Sequence, residues 1–325
     1  MLGTHKDNWK ATISFHDNQQ LSLKTGAFMK LHQLQALVGV VEHGSIRAAA
    51  RAMHLTQAAL TKSLRQLEED AGVALLLRQP RGVTLTEAGQ RLHARAQLVT
   101  RQLALAQDEL RQSLGDDSGQ VRVGLTPYLM LTVLGETFRW FRKRYPRAEL
   151  RLMEGLVTRV VPALRDGSLD FAIVADSGDV SPQEFHSTHL QKHPQALVVR
   201  AGHPVLRQPT VQRLCALEWV LPGPFAQGLD EGIADMFARA GVDVPVQITR
   251  CDALAAMALV RQSDAVCVMP APLLGQPESH GLVALSLRHL QPPGVDLVLL
   301  SRPEVPLTPA AAYFARCLTD AISGR

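Results

Sequence analysis

One short helical segment carries the side chains best suited to reading DNA. Gln57, Thr61, Lys62 and Arg65 share one face at helical spacing, and no acidic residue interrupts that segment before Glu68. The major groove admits an α-helix, whose N-terminal residues reach base edges. Gln57 could pair with adenine, Thr61 with a base edge or a phosphate, and the two cations with guanine or phosphate. The pattern predicts a recognition helix.

Residues around this helix could hold it against a DNA backbone. Free N–H groups at helix N-termini favour phosphates, as do nearby cations. The candidates for backbone contact are Ser45, Arg47, Arg51, His54 and Thr56, and a basic hairpin adds Arg78 and Arg81 at its tip, close to the minor groove. Any one of these residues alone is more often a solvated surface residue. Their combination favours an interface with nucleic acid.

The elements that position these residues follow from helix caps and stops. Leu34, Leu37, Val38 and Val41 recur at helical spacing up to Gly44. Ser45 and Thr56 are N-cap residues for two more helices, over 46–53 and 57–71, and Gly72 ends the second. Apolar runs at 74–78 and 83–85 flank a Pro/Gly turn and predict a hairpin. Three helices and a hairpin are the layout of a protein that places one helix in the major groove of DNA.

The positive charge of the chain is concentrated in this region. Residues 29–115 contain 11 Lys/Arg and 7 Asp/Glu, whereas residues 116–325 contain 20 and 21. A localised basic patch is what counterion release from a phosphate backbone requires. A solvated helical surface would carry the same charge, so the charge alone leaves both interpretations open.

A long helix over 86–113 carries a narrow apolar seam. Its positions are spaced alternately by four and three, and they are Leu85, Gly89, Leu92, Ala96, Val99, Leu103, Ala106 and Leu110. A seam of this kind, sustained for more than three heptads, is typical of a coiled-coil dimer. Packing of the helix on its own domain is the alternative. Gly115 to Gly119 then reads as a linker.

Strands and helices alternate in the remaining two-thirds of the chain. Two sets of βαβ units predict mostly parallel sheets in two lobes, with small ligands bound at the carboxyl ends of strands in the crevice between them. Thr126 could contact an anion at a helix N-terminus or only cap that helix. The candidate ligand contacts are Thr126, Pro127, Gly155, Val157, Pro224, Phe225 and Met269, with the aromatic ring available for stacking.

Other classes of function receive no support from the residues. The sequence contains no nucleophile elbow, phosphate loop or dinucleotide-binding glycine pattern, so we expect no enzyme. The four cysteines are scattered, and we expect free thiols, no metal site and no cofactor. The sequence lacks an apolar run of about 18 residues, which would predict a membrane span, and its first 28 residues lack the pattern of a signal peptide. We therefore expect a cytoplasmic protein without membrane contact.

At these residues the chain resembles the LysR-type transcriptional regulators of bacteria. The similarity lies in Leu34–Leu37, in Gly44–Ala50, in Leu55-Thr56-Gln57 with Leu67-Glu68, in Leu77–Gly89 and in Leu164–Asp170. One position departs from the family pattern, because Ala58 stands where a proline commonly follows the glutamine. Alanine is also a good helix former, so we expect the helix to be kept.

The resemblance implies an α+β multidomain fold with a winged helix-turn-helix, a linker helix that dimerises, and a two-lobed, periplasmic-binding-protein-like effector domain. It implies a homodimer or homotetramer on inverted-repeat double-stranded DNA, contact with RNA polymerase, and control by a small, anionic or aromatic effector. By motif position, Gln57 and Thr61 read bases and Arg81 is the wing contact.

The expected domain boundaries follow from the sequence pattern and from the resemblance. Residues 1–28 are an extension, disordered or non-native, 29–86 form the DNA-binding domain and 87–115 the linker helix. The effector domain covers 119–325, with lobe one at about 119–190 plus 292–325 and lobe two at about 191–291. The alternative function is a solute-binding protein without a transcriptional role. This alternative would account for the two lobes but not for the predicted N-terminal DNA-binding domain.

Overall fold

The computed structural model describes residues 29–79, 82–176, 178, 180–181, 183–222, 227–245, 247–303 and 305–324. The predictions for residues 1–28, Arg81, Pro224 and Phe225 lie outside the described residues, and so does the side chain of Arg78. The chain divides into two compact units, Met1–Gly89 and Gln90–Arg325.

Within its described residues, the first unit is a three-helix bundle with a two-stranded hairpin. Its elements are α1 (Leu31–His43), α2 (Ile46–Ala52), α3 (Gln57–Ala71), and the antiparallel strands β1 (Leu76–Gln79) and β2 (Gly82–Leu85). Gly44 and Gly72 end α1 and α3 in the left-handed conformation, at φ 70° and 66°. The predicted stops are therefore confirmed.

Apolar stripes of the three helices meet in one core. Leu37, Leu60, Leu64 and Leu67 are almost fully buried there, and the small Ala49 of α2 lets the helices approach closely. The buried side-chain amide of Gln33 donates to Asp70 Oδ2 at 2.8 Å and so joins α1 to α3. These contacts fix the orientation of α3 within the unit.

Helix α4 (Glu87–Ser113) is a single uninterrupted helix, as predicted. Its first turn is capped by Thr86, whose Oγ1 accepts from the backbone N–H of Gly89 at 3.0 Å. Along the predicted seam, Gly89 and Ala96 are buried, but Val99, Leu103 and Leu110 are 48%, 38% and 69% exposed in the single chain.

The described residues of the second unit form two five-stranded sheets with helices on both faces. Its elements are β3 (Gln120–Leu125), α5 (Pro127–Thr132), α6 (Leu134–Arg144), β4 (Glu149–Glu154), α7 (Val157–Arg165), β5 (Phe171–Asp176), β6 (His186–His193), β7 (Gln195–Arg200), α8 (Val211–Cys215), β8 (Trp219–Pro222), α9 (Gln227–Arg239), β9 (Ile248–Cys251), α10 (Ala253–Gln262), β10 (Val266–Pro270), β11 (Leu282–Leu285), β12 (Val295–Ser301) and α11 (Pro309–Ser323).

The sheets assign each strand to a lobe. Lobe one has the order β4-β3-β5-β12-β6 and lobe two the order β11-β7-β10-β8-β9. The chain crosses from lobe one to lobe two between His193 and Gln195, and β12 returns to lobe one from Val295. The predicted fold class, with a helix-turn-helix before a two-lobed α/β domain, is confirmed.

The prediction of mostly parallel sheets is wrong. In each sheet, two neighbouring pairs are parallel and two are antiparallel. The antiparallel pairs involve β6 and β12 in lobe one and β7 and β11 in lobe two. Parallel neighbours need a crossover connection, whereas β7 and β12 enter their sheets directly from the other lobe and run antiparallel to both neighbours.

Local structure differs from the pattern of the sequence in four other places. The pattern predicts one helix from Tyr128 to Arg144, but the structure has two, α5 and α6, which meet at Val133. The strand β6 was missed, as were the short helix α8 and the strand β11.

Each sheet has a core on both faces. In lobe one, Phe141 and Phe314 lie on the side of α6 and α11, and Val160 and Leu164 lie on the side of α7. In lobe two, the rings of Trp219 and Phe237 pack against each other in the core of that lobe. These cores hold the strand ends that line the cavity described next.

Candidate nucleic-acid interface and ligand cavity

The exposed face of α3 has the side chains predicted for DNA recognition. Gln57, Lys62 and Arg65 are exposed and Thr61 is half-buried. These four residues line a shallow groove together with Ala58, Gln66 and Glu69. None of the four lies inside the protein, so the face is available to a partner.

Two hydroxyl caps set the start of the helices. Ser45 Oγ accepts from Ala48 N at 3.2 Å, and Thr56 Oγ1 accepts from Ala59 N at 3.1 Å. His54, in the turn between α2 and α3, has φ 54°, a left-handed conformation that non-glycine residues rarely adopt. The two caps are confirmed as structural features, whereas their contact with phosphate stays a prediction.

Positive charges surround this face without carboxylate partners. Arg47, Arg51 and His54 are exposed. Among the residues that the structure describes, no carboxylate lies within ion-pair distance of Arg47, Arg51, Lys62 or Arg65. Unpaired cations at a helix-turn-helix surface are suited to neutralise phosphates.

The acidic residues at the far end of α3 are held by other contacts. Glu68 Oε1 accepts from the backbone N–H groups of Leu75 and Leu76, at 2.8 and 3.1 Å. Hydrogen bonds from the Gln33 amide and then from Gln66 hold the pKa of Asp70 below its ordinary value. Two of the three carboxylates are thus engaged within the unit, and Glu69 is the exposed one.

The second unit contains a cavity of about 600 Å³ between its lobes. Lobe one supplies the carboxyl ends of β3 and β4 and the start of α7, and lobe two supplies the ends of β8 and β10 and the start of α10. The lining is largely apolar, as is usual for small-molecule sites. Its members include Leu131, Val161, Leu221, Met257, Leu273 and Leu297.

Five predicted contacts line this cavity, namely Thr126, Pro127, Gly155, Val157 and Met269. Thr126 is 5% exposed and caps α5 through a bond from Leu129 N at 3.4 Å. A Cβ on Gly155 would lie 2.7 Å from the carbonyl carbon of Leu125, so only glycine fits where β4 passes the end of β3.

Sequence reasoning missed the polar groups at the crossover between the lobes. His193 and Gln195 line the cavity, and His193 is only 3% exposed. Its ring lies 4.4 Å from that of Tyr128, and its Nε2 is 2.9 Å from the side-chain amide nitrogen of Gln191. Burial lowers the pKa of His193 and raises that of Tyr128. The sequence signal for His193 is the His-Pro-Gln segment, in which a proline directly joins two strands.

The charged lining groups are mostly paired. Arg165 is the one Lys or Arg among the described lining residues, and its Nη2 is 2.7 Å from Glu184 Oε2. Glu154 lies 3.8 Å from Arg159, and Asp252 caps α10 through Ala255 N at 2.9 Å. Such a lining provides little charge to hold a polyvalent ion.

The cysteines and histidines form no metal-binding group within the described residues. Cys267 lines the cavity and is fully buried, which raises the pKa of its thiol. Of the helices the structure describes, none has the length and apolar character of a membrane span.

Comparison with known proteins covers both units. The model of the "bacterial regulatory helix-turn-helix protein, lysR family" matches residues 31–90, and that of the "LysR substrate binding domain" matches residues 114–323. TdcA of Escherichia coli, an HTH-type transcriptional regulator, is 27% identical over 263 residues, which are 81% of this chain and 84% of TdcA. GbpR of Rhizobium radiobacter, another such regulator, is 30% identical over 241 residues, 73% of this chain and 80% of GbpR.

Among solved structures, full-length CbnR in complex with its target DNA has the same fold. Its TM-score is 0.64 at 23% identity, and the match covers 90% of this chain and all of CbnR.

Proposed function

Because the chain belongs to the LysR family of DNA-binding transcriptional regulators, we propose that the face of α3 reads its operator and that the cavity between the lobes binds the controlling effector. The observation that supports the first part most strongly is the exposed, capped α3 with unpaired cations around it. Gln57 and Thr61 are the base readers in this proposal, and Lys62, Arg65, Arg47 and Arg51 contact phosphates or guanine.

Fluorescence anisotropy of the full-length protein tests the DNA-binding role. DNA from the region upstream of its own gene is the probe, and a shuffled duplex is the control. We expect a specific complex that weakens steeply between about 50 and 200 mM salt, since phosphate contacts release counterions. Equal binding to both duplexes at every salt concentration would contradict the assignment.

The proposed effector is a small molecule with an apolar or aromatic body and one anionic or polar head. The largely apolar cavity lining supports the body. The N-terminus of α7 begins at the cavity after Leu156, which provides no side-chain cap, so its N–H groups are available to the head. With two carboxylates and one paired guanidinium in the lining, a monoanion is favoured over a polyanion.

A thermal-shift screen separates these ligand classes. Aromatic and aliphatic monocarboxylates and sulfonates form one set, and di- and tricarboxylates of similar size form the other. A ligand at 100 times its dissociation constant stabilises the folded state by about 2.7 kcal/mol. We expect stabilisation from the first set alone. Stabilisation from polyanions alone would contradict the proposed head group.

The protein in this proposal acts as a homodimer or homotetramer through the exposed seam of α4 and works with RNA polymerase in the cytoplasm. Val99, Leu103 and Leu110 are the apolar surface that supports it. The cavity binds its ligand without turning it over and without a cofactor. The alternative, a solute-binding protein without a transcriptional role, does not account for the first unit, and the matching relatives are transcriptional regulators.

A further inference from the structure

Helix α4 has a second stripe of residues on the side opposite the seam. Leu98, Arg101, Leu105, Asp108 and Gln112 are spaced by three and four residues, as in a heptad, although three of them are polar. Arg101 is 9% exposed, and Leu105, Asp108 and Gln112 are each 7% exposed. Three polar side chains buried on one helix face require specific partners.

Lobe one provides these partners at one end of its sheet. Arg101 Nη2 lies 2.7 Å from Asp170 Oδ1, and the Asp170 side chain is 2% exposed. Arg101 Nη1 also donates to Gln120 Oε1 at 3.3 Å, and Asp170 Oδ2 accepts from the backbone N–H of Arg122 at 2.9 Å. One buried carboxylate thus joins α4, β3 and the start of β5.

Neighbouring contacts extend the joint along α4. Gln112 Oε1 accepts from Ala310 N at the start of α11, and its Nε2 donates to Ser118 O, both at 2.9 Å. With the Gln102 amide oxygen turned toward it, Arg302 donates to that oxygen at 2.9 and 3.0 Å. These bonds involve α4, the linker, α11 and the residue after β12.

The strands that hold this joint also line the ligand cavity at their other ends. β3 leads to Thr126, β5 carries Ala175 near its end, and β12 begins with Val295, all three of which are cavity residues. A contact network of this kind joins the two places through three neighbouring strands of one sheet.

We propose that the Arg101–Asp170 pair is a positioning contact that fixes the C-terminal half of α4 to lobe one, so that the two move as a single body. Lobe two is then the part that moves when the cavity fills, and the seam of α4 keeps its orientation relative to lobe one. A buried ion pair contributes little net stability compared with an apolar pair, but it requires one geometry. Placement rather than stability is therefore what the pair contributes, and this inference goes beyond the proposed function.

Three variants of the full-length protein separate placement from stability. Arg101→Met leaves the Asp170 carboxylate buried without its cation, and Asp170→Asn leaves the Arg101 guanidinium buried without its anion. Both variants should therefore have a lower Tm. The double variant R101M/D170N leaves neither charge, and the amide that replaces the Asp170 carboxylate retains an oxygen for the N–H of Arg122. Arg95→Met is the matched control, because Arg95 is an exposed arginine of the same helix that lies outside the stripe.

Hydrogen exchange read by mass spectrometry reports the placement directly. In the double variant we expect Tm to return toward the wild-type value, while the amides of residues 98–112 exchange about ten-fold faster than in the wild type. The amides of β3, β5 and α3 should be unchanged, and so should every region in the Arg95→Met variant.

Recovery of both Tm and α4 protection in the double variant would overturn the proposal, because apolar packing alone would then hold the helix. Equal acceleration throughout lobe one would also overturn it, as a sign of general destabilisation. Arg101→Lys provides a second test if the other variants fail to fold. It keeps the charge but loses the planar fork, so α4 protection should fall in it too.

Discussion

At the scale of single residues, Glu68 affects how much negative charge α3 presents to a partner. Its carboxylate turns back to accept two backbone N–H groups where the hairpin begins. Because a carboxylate facing DNA would repel phosphates, this inward contact preserves the positive character of the face. The same contact satisfies two part-buried backbone donors at the start of β1.

Gln57 is the residue at which base specificity should be most sensitive. We expect Gln57→Ala to relax the preference at one base pair of the operator by about 1–3 kcal/mol, because a bidentate pair with adenine would be lost. Competition binding with single-base operator variants measures this effect. Gln66→Ala is the matched control, since Gln66 lies on the same helix nine residues later and is already bonded to Asp70. Equal loss at every base position would indicate a phosphate contact instead.

His193 should make the folded state sensitive to acid. Burial lowers its pKa in the folded protein below the value of about 6.5 in the unfolded chain. Its contribution to stability is therefore complete above pH 6.5, and it is lost as pH falls from 6.5 toward the folded pKa, because the unfolded chain binds the proton first. The slope for one proton is at most about 1.4 kcal/mol per pH unit.

Denaturant unfolding of His193→Gln between pH 7.5 and 5.5, a range set by the ordinary histidine pKa of about 6.5, checks this expectation. The variant should show a shallower fall in the free energy of unfolding than the wild type. His186→Gln, at an exposed position of the same strand, is the matched control for the loss of an imidazole. Parallel curves for wild type and His193→Gln would contradict the assignment.

At the scale of elements, α4 carries two different surfaces on opposite sides. The seam is apolar and partly exposed in the single chain, whereas the opposite stripe is buried against lobe one. The sequence predicts the seam, because leucine and valine at heptad spacing stand out from a polar helix. The second stripe has the same spacing but includes an arginine, an aspartate and a glutamine, whose burial no hydropathy pattern indicates.

Leu103→Lys should disrupt association through the seam. Leu103 is 38% exposed in the single chain, and a coiled-coil partner would bury it. A lysine at such a position places a charge in an apolar interface, so we expect the dimer to dissociate at concentrations where the wild type is associated. Sedimentation velocity measures the change. Gln107→Lys, beside the seam, should remain associated, since lysine is common at flanking positions.

Strand β6 shows where prediction from pattern failed. Its residues, His186 to His193, show no alternation of apolar side chains, and most of them are exposed. Among the strands that the structure describes, β6 lies at the edge of its sheet with β12 as its one neighbour. The caps at Ser45, Thr56 and Thr126 were predictable because each depends on one local side chain. The polar cavity residues at the crossover were not, because His193 meets Tyr128, and Gln195 joins the same cavity, only once the two lobes are assembled.

At the scale of the whole molecule, charge and cavity are separated along the chain. The excess of Lys and Arg lies within residues 29–115, and the ligand cavity is lined by residues 126–297. A regulator with this division can bind DNA and ligand with different residues. If ligand binding changes the affinity for DNA, the two sites have a coupling free energy. The same free energy then describes the effect of DNA on the affinity for the ligand.

Filling the cavity should therefore separate ligand response from DNA binding. Ala253 is half-buried in the first turn of α10 and lines the cavity, so Ala253→Trp should occupy ligand space. The neighbouring Leu254 is 76% exposed, and Leu254→Trp adds the same ring toward solvent. For a monocarboxylate that raises the wild-type Tm, we expect no shift with Ala253→Trp and a full shift with Leu254→Trp.

Both variants should bind operator DNA with wild-type affinity, because the substitutions lie in the second unit and leave the α3 face unchanged. If the ligand still raised the Tm of Ala253→Trp fully, the effector would bind elsewhere. Loss of DNA binding in both variants would show that α10 affects the first unit independently of the ligand.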